Sequence, residues 1–209
     1  MKSKLVLTVA LLSLLAVHAS AQDDPTAPAN VDSAAVARKL SSRNAFERRA
    51  AAEELARLAA VEHRRLAEGY RAQERDSRVK LALDWALYRM GKNESLFPLV
   101  DALDEKKQAE QSVAYLKQLE GPDPLYVFLN RVNGNTQIRL LEVLAAVGDR
   151  DTLERLKPFT ESLDPSIADA AKFAEREINI RLEETPVVEP KRQRKTGKVG
   201  SVDETQPPS

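Results

Sequence analysis

The stretch Val79 to Gly91 reads VKLALDWALYRMG, and it spaces Leu83, Leu87 and Met90 at four and three residues. That is the period of a helix with one buried face, and the closing glycine is able to take a left-handed C-cap. Four more stretches fall into register with it. They are ERRAAAEELARLA from Glu47, AEQSVAYLKQLEG from Ala109, IRLLEVLAAVGDR from Ile138 and IADAAKFAEREIN from Ile167, and the successive offsets are 32, 30, 29 and 29 residues. Glycine recurs at Gly91, Gly121 and Gly148, and after each comes another amphipathic run: Leu96, Leu99 and Leu103; Leu125, Phe128 and Val132; Leu153, Leu156 and Phe159. Helical spacing extends to Val36 and Leu40 and to Ala51, Leu55 and Leu58, with no alternating β-branched run anywhere. A two-helix unit repeated about every 30 residues is the pattern of an α-solenoid. The expected fold is therefore all-α, an alpha-alpha superhelix of about five helix pairs, with about ten helices of some 10 to 17 residues.

Two of these helix starts also carry a family pattern. Asp76-Ser77-Arg78-Val79-Lys80, followed by Ala82 and Leu87, and Asn135-Thr136-Gln137-Ile138-Arg139, followed by Leu141 and Ala145, resemble the start of the second helix of HEAT repeats. Pro98 and Pro158 resemble the proline common in the first helices of that family. The resemblance covers about residues 44–183 and is similar to the short-period bacterial group. It departs where Glu47 and Ala109 replace the β-branched residue and where Ala168 replaces the base. The resemblance implies an armadillo/HEAT-type array that binds another protein along the inner surface of its second helices. Lys80, Asp84, Arg139 and Glu142 are the polar candidates there. Tetratricopeptide repeats fit less well, since their period is roughly 34 residues.

The seventh position of the aligned stretches is occupied by Glu53, Trp85, Tyr115, Leu144 and Phe173. Large apolar groups at four of the five are expected to pack one repeat on the next, and Glu53 suits a terminal repeat whose outer face meets water. The alternative use of Trp85, with Leu81 and Tyr88, is an exposed anchor for a partner.

The flanks predict the compartment. Lys2 and Lys4, the apolar run Leu5 to Val17 and Ala19-Ser20-Ala21 form the three parts of a secretory signal peptide, cleaved after Ala21. The run is too short for a bilayer span, and no cysteine follows it for a lipid anchor. Periplasmic or secreted location is thus expected, with no membrane insertion after cleavage, and the lack of cysteine points to a bacterial source. Removing residues 1–21 leaves 30 basic residues against 32 acidic ones, a balance that argues against nucleic acid as partner. Residues 22–30 read as a disordered leader, 31–183 as the repeat domain and 184–209 as a disordered tail rich in proline. The tail holds a basic cluster of Lys191, Arg192, Arg194, Lys195 and Lys198, suited to an anionic component of the envelope.

Chemistry is thinly represented. Outside the signal peptide the single histidine is His63, in the charged run Val61-Glu62-His63-Arg64-Arg65, where it is expected in solvent. Without cysteine, only carboxylate clusters such as Asp101, Asp104 and Glu105 remain as metal ligands, and these are expected to end a helix in water. Glu53 and Glu54 lie among Arg48, Arg49 and Arg57 in a pattern of helix-surface ion pairs. There is no phosphate-binding glycine loop. The expectation is a non-enzymatic scaffold with no cofactor and no catalytic or metal site; the alternatives are a carboxylate-dependent hydrolase or lyase on the same solenoid, or an envelope tether working through the tail.

Overall fold

The computed structural model describes residues 32–184. The predicted signal peptide (1–21), the leader (22–30) and the tail from residue 185 onward, with Lys191, Arg192, Arg194, Lys195 and Lys198, lie outside the described residues. Within them the chain is all-α, ten helices and no strand. Helix α1 (Ser33–Arg38) runs into a 3₁₀ turn, and α2 (Ala45–Arg57) follows. Then come α3 (Arg64–Gln73), α4 (Ser77–Arg89), α5 (Leu96–Asp101), α6 (Ala109–Leu116), α7 (Asp123–Leu129), α8 (Gly134–Val147), α9 (Arg150–Thr160) and α10 (Pro165–Glu184).

Local chemistry explains where the helices begin. Asp76 caps α4 by accepting from the backbone N–H groups of Arg78 and Val79, at 2.9 and 3.1 Å, and Asn44 caps α2 through the N–H of Phe46. Asp149 and Thr152 form a capping box at α9. Asn135 does not start a helix as expected: α8 begins at Gly134, where φ is +54°, a value open to glycine at no steric cost.

Helix ends are equally specific. In α4 the N–H of Gly91 bonds to Tyr88 and that of Lys92 to Leu87, the paired bonds of a Schellman motif, with Gly91 at φ +89°. The same two bonds close α2, from Ala59 to Ala56 and from Ala60 to Leu55, with Ala59 held at φ +46°. Gly148, predicted as a left-handed cap, is instead extended at φ −63° and ψ 154°. A Cβ on Gly148 would lie 2.6 Å from Ile178 Cδ1 and 2.5 Å from the Leu144 carbonyl oxygen, so close packing is what requires glycine there. Gly121 takes no left-handed conformation either.

The lengths depart from expectation. Helices α5, α6 and α7 hold only 6, 8 and 7 residues, because 3₁₀ turns flank α5, and Pro122 and Pro124 confine the start of α7. Helix α10 reaches 20 residues, having no proline or glycine after Pro165.

Packing joins helices of like direction. Helix α2 lies along α4, and Arg48, in the first turn of α2, makes a bidentate pair with Glu74, two residues before the α4 cap Asp76. Helix α10 lies along α8, and Arg181 near its C-terminus donates to the carbonyls of Ala145 and Gly148 at the α8 C-terminus. Matching ends meet in both pairs, so each pair runs parallel. One continuous core, with Leu55, Leu83, Leu87, Leu99, Leu116 and Leu141 fully buried, runs between the helices. Such leucines each contribute about 1.5–3 kcal/mol of burial free energy.

Candidate functional site

Three of the five seventh-position side chains, Glu53, Trp85 and Tyr115, come together. Trp85 is 3% exposed and stacks on Tyr115, with centroids 5.7 Å apart and planes within 4°, and on Tyr88 at 5.8 Å. Trp85 is therefore a packing residue and not an exposed anchor. The Tyr115 hydroxyl donates to Glu53 Oε1 at 2.6 Å and accepts from Gln111 Nε2. Burial, reinforced by the acceptor Glu53, pushes its phenol well above the ordinary tyrosine range. Leu144 is fully buried, but Phe173 is 42% exposed, contrary to its expected packing, because among the described residues α10 is the last helix and none follows to cover it.

Of the polar candidates, Lys80 and Asp84 share one hollow of about 400 Å³, bounded by α3, α4 and α5. Asp84 departs from the expected surface position, since its residue is only 4% exposed. Both carboxylate oxygens accept from Arg71 of α3, at 2.8 and 3.1 Å. Burial pushes its carboxyl above the usual range, outweighing the downward pull of the Arg71 hydrogen bonds. Asp84 thus faces the preceding helix, and what it does is fix a guanidinium at the hollow's wall. Asp101 and Glu105 also line this hollow.

Arg139 and Glu142 line a second hollow of about 440 Å³, between α8 and the connector that leads into α6, where Asp104 and Lys106 face them. The four candidates consequently fall into two sites on either side of residues 102–109 and do not form one surface. Arg71 and Lys106 were not legible as site residues, and Asp101, Asp104 and Glu105 were read only as a carboxylate cluster ending a helix in water, because their approach depends on how α3 and the 102–109 segment lie over their neighbours.

The remaining candidates behave as structural groups. His63 is part-buried, its Nε2 3.2 Å from Ser33 Oγ and 3.7 Å from Glu62 Oε1, and not free in solvent. Arg57 grips Glu54 at 2.8 and 2.6 Å, and Arg49 pairs with Glu53 at 3.5 Å, the helix-surface pairing expected. Arg48 departs from it by reaching out of α2 to Glu74. Asp101, Asp104 and Glu105 are exposed. Among the described residues no group of three or more His, Asp and Glu side chains is placed to hold a metal ion, and no helix is long and apolar enough to cross a membrane. Compared with known proteins, the chain matches no family model and no curated sequence.

Proposed function

We propose that this protein is an exported, non-enzymatic scaffold of HEAT-like type, five helix pairs in an α-solenoid, that binds another protein through the two charged hollows flanking residues 102–109. Two residue pairs separated by the repeat offset support the array: the caps Asn44 and Asp76, and the left-handed C-cap positions Ala59 and Gly91, are each 32 residues apart and do the same work in α2 and α4. The parallel packing of α2 on α4 and of α8 on α10 is the arrangement that stacked second helices adopt. Export is supported by the signal-peptide pattern of residues 1–21.

The observation that carries the binding reading is the pair of open hollows, each lined by both cations and carboxylates: Lys80 and Arg71 with Asp101 and Glu105, and Arg139 and Lys106 with Glu142 and Asp104. Mixed charge around a concave site gives specificity and orientation to a protein contact rather than great affinity. Asp84 commits both oxygens to Arg71, which suits it to positioning rather than to proton transfer.

The test uses residues 22–209 as bait against an envelope extract, beside a form ending at Glu183 and a full-length form carrying Lys80→Glu and Arg139→Glu. A stoichiometric protein held by the first two and lost by the third supports the hollows. Retention that disappears with the tail moves binding to Lys191 through Lys198. No partner with any form sinks the scaffold reading and turns attention to small-molecule chemistry.

A further inference from the structure

Phe173 and Ile180 of α10 are 42% and 50% exposed. Seven residues apart, they share one face of the helix, opposite the buried stripe of Ile167, Ala171, Ala174 and Ile178. Exposed charges flank them: Asp169, Glu177, Glu183 and Glu184 against Lys172 and Arg176. The small size of this apolar patch bears on what covers it. Two half-exposed side chains fall far short of the roughly 800 Å² per partner that a stable contact between separate chains buries. A segment of the same chain meets no such demand, because a short tether raises its local concentration to about the millimolar range, where a weak contact suffices.

Residues 185–209 continue from the C-terminal end of this helix, and both their reach and their charge fit the face. A helix rises about 1.5 Å per residue and an extended segment about 3.3 Å, so Ile180 lies about 6 Å, Phe173 about 16 Å and Asp169 about 22 Å back from Glu184. An extended segment that returns over α10 after a turn at Thr185 and Pro186 brings Val188 level with Ile180 and Lys191 level with Phe173. Continued, it brings Glu189 beside Arg176, and Arg192 and Arg194 to either side of Asp169. A valine thus meets the isoleucine, and a cation meets the aromatic ring. Residues 149–184 hold ten acidic side chains against six basic ones, whereas residues 185–209 hold five basic against three acidic, so the wider charge balance favours the same contact.

We propose that residues 187–194 cover the exposed face of α10 in the same molecule, running antiparallel to the helix with Val188 on Ile180 and the basic cluster over Phe173 and Asp169. The basic cluster then reaches an anionic partner only by leaving α10 and baring Phe173 and Ile180. This contact is independent of the two charged hollows and stands whether or not they bind a protein.

The sequence contains no cysteine, so Gln193→Cys in the chain from residue 22 to residue 209 gives a single attachment point for a nitroxide. The expected NMR result is loss of the amide signals of Asp169 to Phe173 while the nitroxide is paramagnetic, their return when it is reduced, and the same loss at low and high protein concentration. Val187→Asp with Val188→Asp in the labelled chain is expected to restore those signals and leave the rest of the spectrum unchanged. Asp169→Lys is expected to weaken the loss, and Lys191→Glu with Arg192→Glu in that variant to recover it. Signals on α10 that ignore the nitroxide overturn the proposal, as does a loss spread evenly over the helices or centred on the hollows beside residues 102–109. In a mixture of nitroxide-bearing chains with isotope-labelled chains that carry none, loss at Asp169 to Phe173 would make a second copy the occupant and overturn it too.

Discussion

Tyr115 donates its hydroxyl hydrogen to Glu53 across 62 positions of sequence, tying α6 to α2 directly above the Trp85 ring stack. The hydroxyl is buried, and removing it takes one partner from each neighbour, leaving Glu53 its pair with Arg49 and Gln111 its bond to the Arg78 carbonyl. Tyr115→Phe is expected to lower stability by about 1–2 kcal/mol while keeping the stack. Tyr115→Ala, which also empties the ring site, is expected to cost about 3–5 kcal/mol. Urea denaturation measures both, and equal stability of Tyr115→Phe and the unaltered chain would show the bond to be idle.

Acid sensitivity is expected from Glu74. Its carboxylate is held by Arg48 and by the N–H groups of Arg75 and Asp76, and its pKa is lowered from 4.5 to about 2. A folded-state pKa below the unfolded one means that stability is fully present above the unfolded value and is lost as pH falls from there toward 2. Removing the charge with Glu74→Gln is expected to cost up to about 3 kcal/mol near neutral pH and progressively less on acidification. Denaturation curves at neutral pH and at about pH 3 decide it. A difference between the two proteins that stays constant with pH contradicts this role.

Gly148 is required by the approach of α10. Gly148→Ala puts a methyl group against the Ile178 side chain and the Leu144 carbonyl oxygen, and is expected to destabilise by about 1–3 kcal/mol. Ile178→Val in the same chain removes one of the two clashing groups. The double substitution should therefore cost less than the sum of the single ones, and thermal melts of the four proteins measure that coupling. Strict additivity would mean that the two residues do not meet.

The C-cap positions of α2 and α4 offer a matched pair. Ala59 occupies left-handed backbone that an L side chain adopts at a cost, whereas Gly91 occupies it freely. Ala59→Gly is expected to stabilise by about 0.5–1 kcal/mol and Gly91→Ala to destabilise by a similar amount. Opposite shifts in melting temperature are the signature; a loss of stability in Ala59→Gly would count against the strain.

Much of the helical architecture was legible along the chain. The three-and-four spacing of Leu83, Leu87 and Met90 places one buried face on α4, and Asp76 marks its start because a carboxylate there satisfies N–H groups that the helix itself leaves free. The candidate site was less legible. Asp84 is a carboxylate in a helix otherwise buried from Leu81 to Leu87, and only the arrival of Arg71, thirteen residues earlier in sequence, gives it an ion-pair partner there. Nothing local marks that, since Arg71 lies on a different helix whose angle is a tertiary property.

What the order of residues determined was periodic or local: all-helical structure, the caps at Asn44, Asp76 and Asp149, and breaks near Gly91, Gly121 and Gly148. These depend on groups within a few turns of one another, so spacing alone specifies them. Tertiary structure decided what distant helices do to each other. It buried Trp85 against Tyr115, turned Asp84 toward Arg71, made Gly148 a contact for Ile178 and left Phe173 uncovered on α10. Each of these outcomes depends on which helix lies beside which, and side-chain burial follows from that packing and not from position along the chain.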